Sequence, residues 1–147
     1  MLNDIYQAIK AQLNDPTDDL DGNARTGTDK TVEWYNVQYE GVMIHDDGFF
    51  IEFLNKLDFE GVSKELRRAP VKIRLHCYSK ALQTHDGITD ASVEAHETLA
   101  LKAKALLDGH TPANGSCSRV TFSGWQHWHR WKGWMVTFID FEAKKSL

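Results

Sequence analysis

Chemistry in this chain would begin with histidine. There are seven histidines, and the run His127-Trp128-His129 places two imidazoles on one face of a strand, because strand side chains alternate sides. With His110 and Cys117 upstream, that pair is the nearest approach to a metal-ligating set. No third ligand stands at a telling spacing, and neither HExxH nor CxxC occurs. The chain also lacks a G-x-S-x-G elbow, a P-loop and a G-x-G-x-x-G turn. Cys77 lies beside His76, but a cysteine on the apolar side of an alternating run is expected to be inert core. Asp46 and Asp47 form no acid/base pair with Glu52. The acidic loop over residues 15–30 fails as a calcium loop. Setting Gly22 at the loop glycine puts Thr17 at the first ligand and Thr28 at the last, where carboxylates are required. The residues therefore point to no catalytic site, no metal and no cofactor, and to a chain that is not an enzyme.

The elements that must position these residues are legible from their periods. Val71, Ile73, Leu75 and Cys77 alternate with Lys72, Arg74, His76 and Tyr78, the pattern of a half-buried strand. A helix is expected from about Ser92 to Asp108, with His96, Leu99, Ala100, Ala103, Leu106 and Leu107 on one stripe. Thr89, Asp90 and Ser92 are its candidate N-caps, and Gly109 its stop. A first helix is expected over residues 2–14 from Leu2, Ile5, Ile9 and Leu13, ended before Pro16. The run from Val32 to Val42 alternates Tyr35, Val37 and Tyr39 with polar residues and predicts a strand. Residues Phe49 to Leu54 predict a second, one-sided strand, which could close a hairpin with the first across His45-Asp46-Asp47-Gly48. A final hairpin is expected over residues 118–141, turning near Trp128-His129, with Gly124 facing Gly133 and Phe122 facing Met135.

Length and composition suit one domain over residues 1–147: 41% hydrophobic, 26% charged, net charge −4. That charge gives no general case for nucleic-acid binding. The two cysteines are too few for a disulfide framework and read as reduced thiols. The N-terminus has no signal-peptide pattern, and no run approaches a membrane span. One local basic cluster exists, Lys64, Arg67, Arg68, Lys72 and Arg74, against the single acid Glu65. It is a contact candidate for an acidic partner surface or for phosphate. Lys72, Arg74 and His76 would form its outward row. The closing segment carries Trp125, Trp128, Trp131 and Trp134, and its last strand is apolar on both sides, with Trp134, Val136 and Phe138 on one and Met135, Ile139 and Phe141 on the other. A sheet covered on one face only has no use for a doubly apolar strand. Burial against neighbouring subunits would supply one.

The order of elements now has a resemblance to carry. It runs from an N-terminal helix and a Pro/Asp loop to an aromatic strand region and the Phe49-Phe50-Ile51-Glu52-Phe53 strand. After a charged loop come the alternating Val71–Tyr78 strand, a loop with Asp86-Gly87, an Ala-rich helix with Glu94-Ala95, Leu99-Ala100 and Leu106-Leu107, and a closing hairpin. Over nearly the whole chain this resembles the phage tail terminator, or tail-completion, family of minor virion proteins. The resemblance implies an α+β fold, a mixed or antiparallel sheet with two main helices packed on it, closed by the Trp-rich hairpin. It implies a ring, usually of six copies, at the head-proximal end of the tail tube, which stops polymerisation and joins the tail to the neck. The implied partners are further copies of the chain, the tail tube protein and a neck or head-completion protein, with non-specific contact to DNA in the channel and none to a membrane. The implied location is the virion's tail–neck junction, after synthesis in the host cytoplasm. On this reading Trp125, Trp128, Trp131, Trp134, Val136, Phe138 and Phe141 are the candidate subunit interface. Lys64, Arg67, Arg68, Lys72 and Arg74 are the candidate partner or DNA-channel contacts. The alternatives are a head-completion or neck adaptor protein, a small metal- or ligand-binding protein using His127 and His129, and a module that binds carbohydrate or protein through the Trp/His hairpin.

Overall fold

The structure, a computed structural model, describes residues 1–16, 26–84, 87–128 and 133–147. In chain order its elements are α1 (Leu2–Asn14), β1 (Thr31–Trp34), a 3-10 turn (Gln38–Glu40), β2 (Asp47–Phe53), β3 (Glu60–Gly61) and β4 (Arg67–Lys80). They continue with β5 (Gln83–Thr84), β6 (Gly87–Ile88), α2 (Asp90–Leu107), β7 (Thr121–Trp128) and β8 (Trp134–Ser146). This is the expected α+β arrangement, a mixed sheet with two helices against it.

The main sheet runs β1-β2-β4-β8-β7, with β3 paired to β4. The alternating run is the middle strand, longer than its periodic part, and it pairs with β8 from Arg68–Ser146 to Lys80–Trp134. Its odd-numbered residues Val71, Ile73, Leu75 and Cys77 are buried against the helices, with Ile139 and Phe141 of β8 beside them. Helix α1 brings Ile5, Ile9 and Leu13, and α2 brings Ala100, Ala103 and Leu107. Alanine at two of those positions lets α2 approach the sheet closely. Thr89 caps α2, accepting from the Ser92 backbone N–H at 3.3 Å, and Gly109 at φ +83° turns the chain out of the helix. The two helices are tied by Gln12, whose side-chain amide donates to the Leu106 carbonyl at 2.8 Å.

Three expectations need correction. Residues 35–42 are not a strand. Val37 adopts a left-handed φ of +55°, and the Gln38 side chain takes the hydrogen bonds a neighbouring strand would have made. Its Oε1 accepts from the Asn36 N–H at 2.6 Å, and its Nε2 donates to the Trp34 carbonyl at 2.7 Å. Nor do β1 and β2 form a hairpin: they are parallel, Thr31 facing Gly48 and Trp34 facing Ile51. Two parallel strands require a crossover, and the segment between them makes it over the sheet face away from the helices. Gly48 permits this close arrangement, since a Cβ there would stand 2.6 Å from the Tyr78 hydroxyl.

The third correction is the closing hairpin. Its register pairs Phe122 with Phe141, Gly124 with Asp140, Trp125 with Ile139 and Trp128 with Val136, with a bulge between Phe122 and Gly124. Pairing therefore continues through Trp128, where a turn was expected, and Gly124 and Phe122 do not face Gly133 and Met135. The physical reason is β8's length. It extends to Ser146 to match β4, so β7 pairs further along it, in the register that packs Phe122 on the core beside Phe141.

Candidate functional site

The face away from the helices holds most of the residues the sequence singled out. Phe50, Tyr78 and Val136 are buried there, and Tyr35, Tyr39, Met43, Trp128, Trp134 and Phe138 pack on them. The doubly apolar β8 is thus covered on its second face by the chain's own crossover segment. Phe50 stacks on Tyr78 with ring centres 4.5 Å apart, and Trp128 stacks on Phe138 at 5.7 Å.

A polar network fastens this segment to the sheet. His76 is 2% exposed, under Tyr35, whose ring stacks on it at 4.4 Å. The imidazole lies between two partners: Nε2 is 2.7 Å from Glu52 Oε2, and Nδ1 is 3.0 Å from the Tyr39 hydroxyl. Burial lowers the His76 pKa more than the hydrogen bond to Glu52 raises it. The ring is therefore neutral, donating from Nε2 to Glu52 and accepting at Nδ1 from Tyr39. Glu, His and a hydroxyl in a line have the order of a catalytic relay. Here burial pushes the Tyr39 phenol far above its ordinary value, so it stays a protonated donor and a poor nucleophile. The arrangement acts as a clasp. It also corrects the expected outward row, since His76 lies beneath the aromatic cover. Nothing in the sequence joined Tyr39 to His76; their separation of 37 residues is bridged only by the crossover.

Arg74 leaves that row as well. Its guanidinium donates to both carboxylate oxygens of Asp140, at 2.8 and 3.0 Å, and lies 4.6 Å over the Phe138 ring. Lys72 is exposed opposite Glu142 of β8. Lys64, Arg67 and Arg68 are exposed at the far end of β4 and the turn before it. The basic cluster is therefore divided: among the described residues Lys64, Arg67 and Arg68 make no ion pair, whereas Arg74 is neutralised in the sheet.

The tryptophans are divided too. Residues three apart on a strand fall on opposite faces, so Trp125 looks toward the helix side, while Trp128 and Trp134 lie on the aromatic side. Trp125 is 40% exposed, and Trp131 and His129 lie outside the described residues. Phe141 and Val136, at 1% and 0% exposed, belong to the chain's own two cores and offer no surface to a neighbouring subunit. Among the described residues the most exposed apolar side chains are Val42 and Ile44 of the crossover segment, at 94% and 87%. The pattern Val42-Met43-Ile44 could have flagged them. Alternation puts Met43 on the cover and its two neighbours outward.

The remaining histidines and cysteines have structural surroundings. His96 is buried on the sheet-facing side of α2, with Nδ1 2.8 Å from Ser79 Oγ and Nε2 2.8 Å from Thr137 Oγ1. Desolvation, aided by the nearby His127, lowers its pKa to about 4. His127 is exposed and also reaches Thr137 Oγ1, at 3.3 Å. Burial raises the pKa of Cys77 and of Cys117, which keeps both thiols protonated. Among the described residues no group of three or more His, Cys, Asp or Glu side chains is placed to hold a metal ion. Likewise, no described helix is long and apolar enough to cross a membrane.

No family model and no curated protein matches the chain. Among solved structures it is similar to a chain in the virion of a native gene transfer agent (GTA) particle. Identity is 13%, the TM-score is 0.62, and the match covers 97% of this chain and 95% of that one. At that identity the likeness establishes a shared fold.

Proposed function

We propose that this chain is a structural virion protein that assembles as a ring, of six copies, capping the head-proximal end of a phage tail tube and joining the tail to the neck. The observation that carries the reading is the end-to-end fold likeness to a chain of a GTA virion. The physical character of the molecule supports it. His76 and Arg74 are tied up with carboxylates, while Val42 and Ile44 expose apolar surface and Trp125 is 40% exposed. A ring grows by heterologous contacts between unlike patches. Two candidates are the exposed Val42 and Ile44 of the crossover and the outer edge of β7, the last strand in the sheet order. Trp128, Trp134 and Phe138 belong to the same aromatic layer as Met43, which lies between Val42 and Ile44 in the chain. Exposed Lys64, Arg67, Arg68 and Lys72 are the proposed contacts to an acidic neighbour or to DNA in the channel.

The test is assembly. The purified chain is sized by analytical ultracentrifugation, alone and with the tail tube protein from the same genome, and the mixture is imaged. A closed ring, free or seated on one end of the tube, with tube growth arrested, is the expected result. A chain that stays monomeric and leaves tube length unchanged would sink the reading. A ring that ignores the tube but binds the head portal would reassign it to the neck.

A further inference from the structure

Arg68, from the exposed end of the basic cluster, lines a cleft whose lining side chains include no carboxylate. Arg68 faces Ser146 across the β4/β8 ladder and Pro70 faces Lys144, so Arg68 and Lys144 are diagonal neighbours on one face. Strand geometry sets such side chains about 7 Å apart. Two like charges at that spacing repel, and among the described residues neither makes an ion pair. Glu60 is Arg68's ladder partner on β3, yet the two are not in ion-pair contact. The loop before β7 supplies the opposite wall. The Ser118 N–H donates to the Lys144 carbonyl at 2.8 Å, and the Lys144 N–H donates to Ser118 Oγ at 2.8 Å. The resulting cleft, about 270 Å³, is lined by Arg68, Gly115, Cys117, Ser118, Lys144 and Ser146. Gly115, at φ +69°, has no side chain to narrow it.

We propose that this cleft binds a phosphate group. Arg68 and Lys144 would supply charge and the Ser146 hydroxyl a hydrogen bond from another direction, while the Ser118 hydroxyl could join by giving up its long 3.5 Å bond to the Arg119 carbonyl. A planar carboxylate is served by one bidentate arginine, as Asp140 is by Arg74. A tetrahedral oxyanion takes donors from several sides, which this cleft offers. The phosphate comes from one of two sources, a free phosphate or the phosphodiester backbone of a nucleic acid. The inference extends the proposed contact of Arg68 with DNA but does not depend on ring assembly.

The test uses the isolated full chain in an amide NMR titration with sodium phosphate, and with sodium chloride at matched ionic strength. Saturable shifts centred on Gly115, Ser118 and Lys144 with phosphate alone are expected. Affinity should fall about tenfold or more in Arg68→Gln and in Lys144→Gln, and stay unchanged in Lys102→Gln on α2. Both targets are exposed, so the variants should fold, and their spectra check that they do. Equal shifts with chloride, or variants that bind as wild type does, would overturn the site. A second arm follows a short labelled DNA duplex by anisotropy. Duplex binding that weakens in Arg68→Gln supports the site with a phosphodiester as source. Saturable phosphate binding without duplex binding supports it with a free phosphate as source. Either result leaves the assembly test to stand or fall separately.

Discussion

The two faces of the sheet are both covered, by opposite means. One carries two helices whose aliphatic stripes meet Val71, Ile73, Leu75 and Cys77 in a continuous core. The other carries an irregular segment of aromatic residues, held by ring contacts and by the Tyr39–His76–Glu52 clasp. Each face also buries one neutral histidine, His96 on the first and His76 on the second. The difference teaches how each cover resists change. Helical burial is spread over many apolar contacts, so its loss is costly wherever it is made. The crossover depends on a few polar fastenings, so it can open locally without unfolding the sheet.

The largest expected effect breaks the helix side. Leu75 is fully buried in the middle strand, and Leu75→Ala should lower unfolding free energy by about 3–4 kcal/mol in urea denaturation. A cost below 1 kcal/mol would mean the two covers are not as different as described. Acid comes next. His96 has its pKa lowered from 6.5 to about 4 in the folded chain, so the unfolded chain takes up this proton first as pH falls. The histidine's cost is absent above about pH 6.5, grows on the way down and is complete near pH 4. It reaches at most about 3 kcal/mol. His76 is lowered in the same direction. Thermal melts across this range should therefore show a pH slope that weakens in His96→Gln, and weakens separately in His76→Gln. A slope unchanged in both would assign acid sensitivity elsewhere.

A smaller effect sharpens the contrast. Tyr39→Phe removes the donor to His76 Nδ1 and leaves that buried nitrogen unsatisfied, at a cost of about 1–2 kcal/mol. Hydrogen exchange should quicken across residues 35–46 while the amides of β4 and β8 stay protected. Uniform quickening would show that the clasp holds the whole fold. The smallest change in stability belongs to Val42→Ser, within about 0.5 kcal/mol, because the side chain is almost fully exposed. Its readout is assembly. If the Val42–Ile44 segment is a ring contact, sedimentation should shift toward smaller species without any change in the melt.

Periodic segments were legible and irregular ones were not. Helix α1 lies over residues 2–14 as its stripe required, and α2 has the expected N-cap at Thr89 and stop at Gly109. The alternation of Val71 to Tyr78 correctly separated the helix-side core from the opposite face. It could not say that the opposite face is buried as well. The alternation of Tyr35, Val37 and Tyr39 misled for a local reason. A side-chain amide, Gln38, satisfied the backbone and released the segment from strand geometry.

By itself, the sequence determined what depends on neighbours a few residues away: helix limits, the caps, the inward side of the middle strand, and the absence of a recognisable catalytic motif. Only the tertiary structure decided what depends on distant partners. It set β1 parallel to β2, moved the register of the closing hairpin, and split the tryptophans between two faces. It also turned Arg74 and His76 inward, and brought Arg68, Ser118 and Lys144 around one cleft. The physical reason is the same in each case. Local hydrogen bonds and side-chain period are written within one turn or one strand. Pairing, register and burial are settled by which of several apolar faces the whole chain can cover at once.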